Sequence, residues 1–428
     1  MTGCRLEQKP AEPIQGTAST YHVVKLLGSG GQVCAWLGVD RATGEYVVIR
    51  VPRPDLPPDL YQLQVNRLRI AYRILYVLYQ YASQTRLHMY FEQPHDYTDM
   101  DHTFMMMTKY VEGDDLESFI ACSEMGMLSS ECKRVVGGLL DAVYFMHQLG
   151  IIHRDIKPRN IRSAPWGPVL IDFTTAKYFY DVTLGDVYVY STGGYTAPEQ
   201  MEYAIASPQS DVWSMGATLL RLAARKEPAR ILRGYPKQLR RLAPHDIKRI
   251  APRAEGLAEL IAAALDPDPC LRPATLDEAR TLIGGGSIEV GFAEVILLGN
   301  KYTIEERGVC IGRSSSCHIQ IPRDRDPNNF ISGVHAVIFW DELRKEWMIQ
   351  DMCSLNGTAV WRPGIDEHWV IVWPGRKVTG HICIKGHPVG EPLPLGKSAL
   401  ISLGFDQNLG PYLIAVFRAG PQIISSIA

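Results

Sequence analysis

The sequence predicts two folded domains in one chain, a two-lobed α+β domain followed by an all-β sandwich. Three observations lead there. Residues 20–110 read as short apolar strands around one long helical stretch, and residues 111–283 read mainly as helices. Gly284-Gly285-Gly286-Ser287 then breaks the pattern as a flexible linker would. Beyond it, short strands and turns follow at 295–298, 309–311, 318–321, 336–340 and 347–351, with further pairs to Phe417. The expected boundaries are a disordered lead-in over 1–19, lobes over 20–110 and 111–283, a linker over 284–291, the sandwich over 292–418 and a tail over 419–428.

At 428 residues the chain is long enough for two or three domains, each with its own core. It is 46% hydrophobic and 21% charged, with a formal net charge of −2. That is the balance of soluble globular protein, without the basic excess of a nucleic-acid binder. No apolar run reaches the roughly 18 residues of a membrane helix, and the first residues carry no secretory apolar core. Nine cysteines, scattered and without zinc spacing, read as free thiols in a reducing compartment, so a cytoplasmic location is expected.

In chain order, a strand over 21–27 leads into the turn Gly28-Ser29-Gly30-Gly31-Gln32-Val33, and a strand over 34–39 returns. Glycine in such a turn lets backbone N–H groups approach an anion closely. A third strand over 46–51 carries Arg50. The helix over about 60–81 has a wide apolar stripe, including Leu68, Ile74, Leu75 and Leu78, that reads as core packing; it contains no acid. Residues 103–110 read as a strand whose Met105-Met106-Met107 fills core space. A helix over 135–149 then feeds a polar loop, and the basic stretch 233–253 reads as a solvated helical face.

That loop is His153-Arg154-Asp155-Ile156-Lys157-Pro158-Arg159-Asn160, and the strand 169–171 after it ends in Asp172-Phe173. An acid, a cation and an amide at fixed offsets, with a second acid nearby, are what phosphoryl transfer needs: a proton acceptor, charge compensation and metal ligands. Ala197-Pro198-Glu199, then Asp211-Val212-Trp213-Ser214-Met215-Gly216, then Leu271-Arg272-Pro273 follow in order. The series resembles the Ser/Thr protein kinases, with a degenerate N-lobe. The resemblance implies ATP and Mg²⁺ as cofactors, and protein substrates. It assigns Asp155 as base, Lys157 as a γ-phosphate contact, and Asn160 and Asp172 as Mg²⁺ ligands. Leu27, Gly28, Ser29, Gly30, Gly31, Ala35, Arg50, Lys109 and Val111 would line the ATP site, with Thr108 at its gate. It also implies that Asp211 braces the catalytic loop and that Arg272 pairs with Glu199. Thr183, Ser191 and Thr192 are candidate regulatory phosphosites, which Arg154 would pair. Three features depart from the family: Val33 replaces a glycine, Arg50 replaces the ATP-binding lysine, and the helix lacks the acid that pairs with it.

In the second domain, Gly312-Arg313-Ser314 follows a strand, Ser332-Gly333-Val334-His335 precedes one, and Ser354-Leu355-Asn356-Gly357-Thr358 follows another. These fragments resemble the forkhead-associated (FHA) domain, a phosphothreonine-peptide reader. By that resemblance Arg313 and Ser332 hold the phosphate, Asn356 holds the peptide backbone and His335 props the loops. Gly333 and Leu355 depart from the family by thinning the polar rim. The implied partner is a phosphothreonine protein or the chain's own activation segment, where Asp186 follows Thr183 by three residues. Neither a nucleic acid nor a membrane is expected as partner. Two readings of the first domain stay open: an active Ser/Thr kinase coupled to a phosphopeptide reader, or a pseudokinase scaffold whose working site is the FHA pocket.

Overall fold

The structure, a computed structural model, describes residues 9–30, 32–83, 85–100, 103–122, 129–178, 193–254, 256–283, 285–290, 293–304, 308–341, 343–379, 388–406, 410–420 and 422–424. Thr183, Ser191 and Thr192 lie outside the described residues, as does Gly31. Two compact units divide the chain: Met1–Ala142 with Pro158–Lys177, and Val143–Lys157 with Tyr178–Ala428. The sandwich therefore belongs to the same unit as most of the helical lobe, and no division falls at the glycine run.

The first unit is built on a six-stranded antiparallel sheet. Its strands are β1 (Ile14–Gln15), β2 (Thr20–Ser29), β3 (Val33–Asp40), β4 (Tyr46–Pro52), β5 (Pro94–Met100) and β6 (Thr103–Lys109), in the order β1-β2-β3-β4-β6-β5. The loop from β3 to β4 closes because the Asp40 carboxylate accepts the Ala42 N–H at 2.8 Å and Gly44 adopts φ +73°. The sheet packs on α1 (Pro58–Ala82), which starts with proline in its first turn and buries Leu68, Ile74, Leu75 and Leu78 completely. Met106 and Met107 are buried as well, Met107 in the sheet's apolar cluster.

The lead-in from residue 9 onward is ordered where disorder was expected. Ile14 is buried and pairs with Tyr21 on β2. Buried Asp96 on β5 then accepts the N–H groups of Thr17 (3.1 Å), Ala18 (3.0 Å) and Ser19 (3.2 Å), the Thr17 hydroxyl and the Tyr21 hydroxyl at 2.9 Å. A polar, proline-bearing segment is fixed this way because a distant carboxylate satisfies its backbone, which local composition does not reveal.

In the second unit, the helix Pro208–Ala224 is the centre of the helical part and is buried almost throughout, with Trp213 in its middle. The sandwich has two sheets. One runs in the order 300–303, 293–297, 410–419, 398–406, 358–361, 370–373; the other runs 319–320, 309–312, 336–341, 346–351, 389–394. Ile311, Ile338, Ile349, Leu403 and Phe417 fill the space between them. Ile288–Val290, in the expected linker, pairs antiparallel with Gln422–Ile424, in the expected tail, so both carry strand. Cys270, Cys310 and Cys317 are free thiols, whereas Cys34 and Cys353 are disulfide-bonded, which corrects the expectation of free thiols throughout. Spacing along the sequence does not show which thiols the fold brings together.

Burial works to raise the Asp96 pKa, but the Thr17 hydroxyl and the backbone N–H groups outweigh it and hold the carboxyl below its ordinary value. A depressed folded value adds stability above the unfolded pKa and loses it as pH falls. Asp96→Ala is expected to cost about 3 kcal/mol in urea unfolding at pH 7. The gap from wild type should shrink as pH drops below about 4, and a gap that is constant with pH would discard this account.

Candidate functional site

A cleft in the first unit is lined by Leu27, Gly28, Ala35, Val48, Arg50, Glu92, Lys109, Tyr110, Val111, Asn160, Arg162, Ile171 and Asp172. Leu27 and Gly28 come from the end of β2, Ala35 from β3, Val48 and Arg50 from β4, and Lys109 ends β6. Asn160 closes the single 3₁₀ turn Pro158–Asn160, and its carbonyl accepts the Ile171 N–H at 2.9 Å, which ties it to the stretch that delivers Asp172. Six of the nine expected ATP-site residues line the cleft, together with both expected metal ligands. Ser29 pairs with Cys34 near the tip of the β2–β3 hairpin, and Gly30 follows it.

The main surprise is the partner of Arg50. Its Nη1 lies 2.7 Å from Glu92 Oε2 and 3.1 Å from the Thr108 hydroxyl, which in turn donates to Glu92 at 3.1 Å. Glu92, 2% exposed, precedes β5. Its other oxygen accepts the Asp172 backbone N–H at 2.8 Å. The observed helix starts early enough to include one acid, Asp59, but the partner of Arg50 comes from another element, and that partner also fixes the Asp172 backbone. Burial disfavours the Arg50 charge, but Glu92 and then Asp172 outweigh it and raise the pKa, so the guanidinium stays ionised. Among the described residues, Arg50 Nε and Nη2 make no hydrogen bond. α1 reaches the glycine turn instead, through Gln64 and Gln32.

In the second unit, the loop with Asp155 and Lys157 is set by Asp211. The Asp211 carboxylate accepts the N–H groups of His153 and Arg154, each at 2.8 Å, and contacts His147 Nε2 at 3.1 Å. These bonds hold Arg154 at φ +68°, a left-handed conformation that side chains resist. Burial acts to raise the Asp211 pKa, yet the hydrogen bond and charge of His147 and the His153 N–H keep it low. Lys157 Nζ donates to Asp155 Oδ2 at 2.8 Å. Further along, Arg272 and Glu199 form a buried bidentate pair at 2.7 and 2.9 Å.

At one end of the sandwich, the three expected phosphopeptide residues sit on interlocked loops. Arg313 donates from Nε to the Ile331 carbonyl and from Nη1 to Asn329 Oδ1, both at 2.5 Å. The Ser332 hydroxyl oxygen accepts the Leu355 N–H at 3.0 Å, and Asn356 Nδ2 donates to the Phe330 carbonyl at 2.9 Å. His335 is fully buried; its Nδ1 accepts the Ser332 N–H at 3.1 Å and its Nε2 contacts the Gly357 carbonyl at 2.9 Å. Burial lowers its pKa, so the ring is a neutral prop between two loops. Among the described residues, Arg313 Nη2, the Ser332 hydroxyl proton and Asn356 Oδ1 have no partner.

Sequence reasoning missed Val48, Glu92, Tyr110, Arg162 and Ile171 in the cleft. Only the position of Glu92, just before a strand and two residues from a proline, hinted at an edge residue; nothing pointed it at Arg50.

Two substitutions test the pair. Glu92→Gln leaves Arg50 buried without its counter-charge and is expected to cost about 3–5 kcal/mol of stability. Arg50→Ala is expected to weaken Mg·ATP binding about ten- to a hundredfold in calorimetric titration. In urea unfolding, the stability lost by the double variant should fall short of the sum of the two single losses by at least about 1 kcal/mol, and strict additivity would mean the two residues do not act together.

The comparisons with known proteins agree with this geometry. The protein kinase domain model matches residues 21–281, and the FHA domain model matches residues 309–404. The chain is 29% identical over 281 residues to a probable serine/threonine-protein kinase, PkwA, of Thermomonospora curvata, covering 63% of this chain and 34% of the relative. It is 32% identical over 223 residues to serine/threonine-protein kinase PknA of Nostoc sp., covering 49% and 37%. It is 30% identical over 292 residues to serine/threonine-protein kinase F of Synechocystis sp., covering 64% and 57%. The chain thus spans less than two thirds of the length of each of these relatives. A solved structure, the PpkA-294 apo form, shares the fold with a TM-score of 0.51 at 21% identity, covering 64% of this chain and 99% of that one. Matched over more than half its length, the chain belongs to the protein kinase domain family and carries a C-terminal FHA domain.

Proposed function

We propose that this protein is a Ser/Thr kinase that transfers the γ-phosphate of ATP to protein hydroxyls, and that its FHA pocket binds phosphothreonine. The observation that carries the first part is the Arg50–Glu92–Asp172 arrangement. In it a permanently charged donor is held at the cleft, despite the three N-lobe departures that favour a pseudokinase. Arg50 Nε and Nη2 would meet the non-transferred phosphates. Asn160 and Asp172 line the same cleft and offer an amide and a carboxylate oxygen, the hard donors Mg²⁺ takes when phosphates and water complete its shell. The bound ion would neutralise charge on the β- and γ-phosphate oxygens. Asp155, oriented by Lys157, would align the substrate hydroxyl and take its proton as the new P–O bond forms and the bond from the γ-phosphorus to the bridging oxygen breaks, with ADP as the leaving group.

Support for the second part is the set of three polar atoms left without partners on the FHA loops. A phosphate carrying nearly two charges would accept from Arg313 Nη2 and the Ser332 hydroxyl, while Asn356 Oδ1 accepts a peptide N–H.

In the test, purified full-length protein is incubated with labelled Mg·ATP. Wild type should label itself on Ser or Thr, and Asp155→Asn should lower the rate at least about a hundredfold. Folded wild type that never labels would leave the pseudokinase scaffold as the reading. For the pocket, a peptide of residues 180–190 phosphorylated on Thr183 should bind, as read by fluorescence anisotropy. Arg313→Ala should weaken it about ten- to a hundredfold. Equal binding of the unphosphorylated peptide would remove the phosphothreonine assignment.

A further inference from the structure

The strand Gly410–Ala419 is buried at eight consecutive positions. Side chains alternate faces along a strand, so such a run is covered on both sides. One face, with Leu413, Ala415 and Phe417, fills the sandwich core. The other, with Ile414 and Val416, joins Ile296 and Leu400 in a cluster with Ile205, Cys270 and Ala274 of the helical lobe. Ile205 and Ala206 directly follow the helix Pro198–Tyr203, and Ala206 and Ile152 join the sandwich's own core cluster. At the edge of the contact Gly299 runs so close to the lobe that a Cβ would stand 2.8 Å from Gln148 Cγ.

Arg418 continues the outer face of the same strand and has no exposed surface. Its Nε donates to the Cys270 carbonyl at 2.5 Å, and its Nη2 to the Arg272 carbonyl at 2.6 Å. Its Nη1 meets Glu278 of the lobe at 3.0 Å and Glu294 of the sandwich at 2.9 Å. Lys301 of the sandwich reaches the same two acids at 2.6 and 3.2 Å. Every donor nitrogen of Arg418 is thus occupied, and two of its bonds end on the turn that carries Arg272. Arg272 in turn holds Glu199 in the first turn of the helix Pro198–Tyr203, and donates to the Gln209 carbonyl at 2.8 Å.

We infer that Arg418 is a positioning residue of the kinase lobe: it clamps the 270–272 turn so that Arg272 meets Glu199, which makes the FHA sandwich a structural part of that lobe rather than a reader on a tether. A catalytic role for that lobe rests on the function proposed above; the clamp itself does not. Substituting Arg418 would leave Glu278 and Glu294 buried with Lys301 as their one remaining cation in the cluster. The effect should spread along the turn to Glu199 rather than stop at the sandwich.

Hydrogen–deuterium exchange of the full-length chain tests this. In Arg418→Met, of similar length but without donors, amides at 197–205 and 268–276 should exchange about a hundredfold faster than in wild type, along with those at 410–419. Arg313→Ala, in the phosphopeptide pocket, should leave all three segments unchanged. Loosening confined to 410–419 in Arg418→Met would overturn the inference. Should Arg418→Met fail to fold, Glu294→Gln removes one charged arm and should speed exchange about tenfold at 268–276; no change there would overturn it equally. Where wild type labels itself, Arg418→Met should lower kcat and leave the KM for ATP unchanged. Exchange needs no activity, so an inactive wild type would end the kinase reading and leave this measurement decisive.

Discussion

A guanidinium sealed from water must find a partner for its donors, and Arg272 organises the second unit by meeting that demand. It has no exposed surface. Its Nε donates to the Asp266 carbonyl, its two terminal nitrogens grip Glu199, and Nη1 also reaches Gln209. The plane lies over the Trp213 ring, with its central carbon 5.0 Å from the centroid. Removing any one partner would strand a buried charge, so segments from 199, 209 and 266 are fixed by a single side chain. Tyr144, on the helix that leads to the catalytic loop, donates to the carbonyl of neighbouring Pro273 at 2.7 Å. Asp211, near the start of the helix whose Gln209 Arg272 holds, braces His153 and Arg154.

The first unit answers the same constraint with different residues. Arg50 on a central strand is nearly buried, and the long helix carries its one acid, Asp59, in the first turn, whereas Arg50 pairs with Glu92. Glu92 does more than balance charge, because one of its oxygens serves Arg50 while the other holds the Asp172 backbone. A family lysine paired to a helix acid couples the site to the helix position. Here the coupling runs from strand to strand edge, and the helix touches the glycine turn through Gln64 instead.

Much of this was legible in the sequence where function depends on residues close together in the chain. The loop from His153 to Asn160, the Asp172 strand and the Gly312–Ser314 turn carry their chemistry in short runs. Leu27, Gly28, Ala35, Arg50, Lys109 and Val111 line one cleft with Asn160 and Asp172. What escaped was pairing over long separations. Asp96 gathers residues 17–21, Glu92 meets Arg50, and Arg418 meets Glu278 across 140 residues of sequence. One of these did leave a trace. The run Tyr412-Leu413-Ile414-Ala415-Val416-Phe417 is continuously apolar, where a half-exposed sandwich strand would alternate. It signals a strand covered on both faces, and the glycine run before the sandwich drew attention away from it.

The FHA loops show how a pocket can be ready for an anion while its arginine is already engaged. Asp326, itself buried, lies 3.7 Å from Arg313 Nε and accepts the N–H groups of Phe330 and Ile331 at 2.8 and 2.9 Å and the Tyr412 hydroxyl at 2.8 Å. Its charge is thus spread over several donors, and Arg313 need not break a tight ion pair to receive a phosphate. Nε and Nη1 are fixed by Ile331 and Asn329, which orders the guanidinium before any ligand arrives. The entropic cost of ordering the arginine then falls on folding rather than on binding. Nη2 has no partner among the described residues, and His335 holds Ser332 and Gly357 in place. With Nδ1 accepting the Ser332 N–H and burial disfavouring its charge, the ring would support the proposed phosphate contact through hydrogen bonds rather than as a cation.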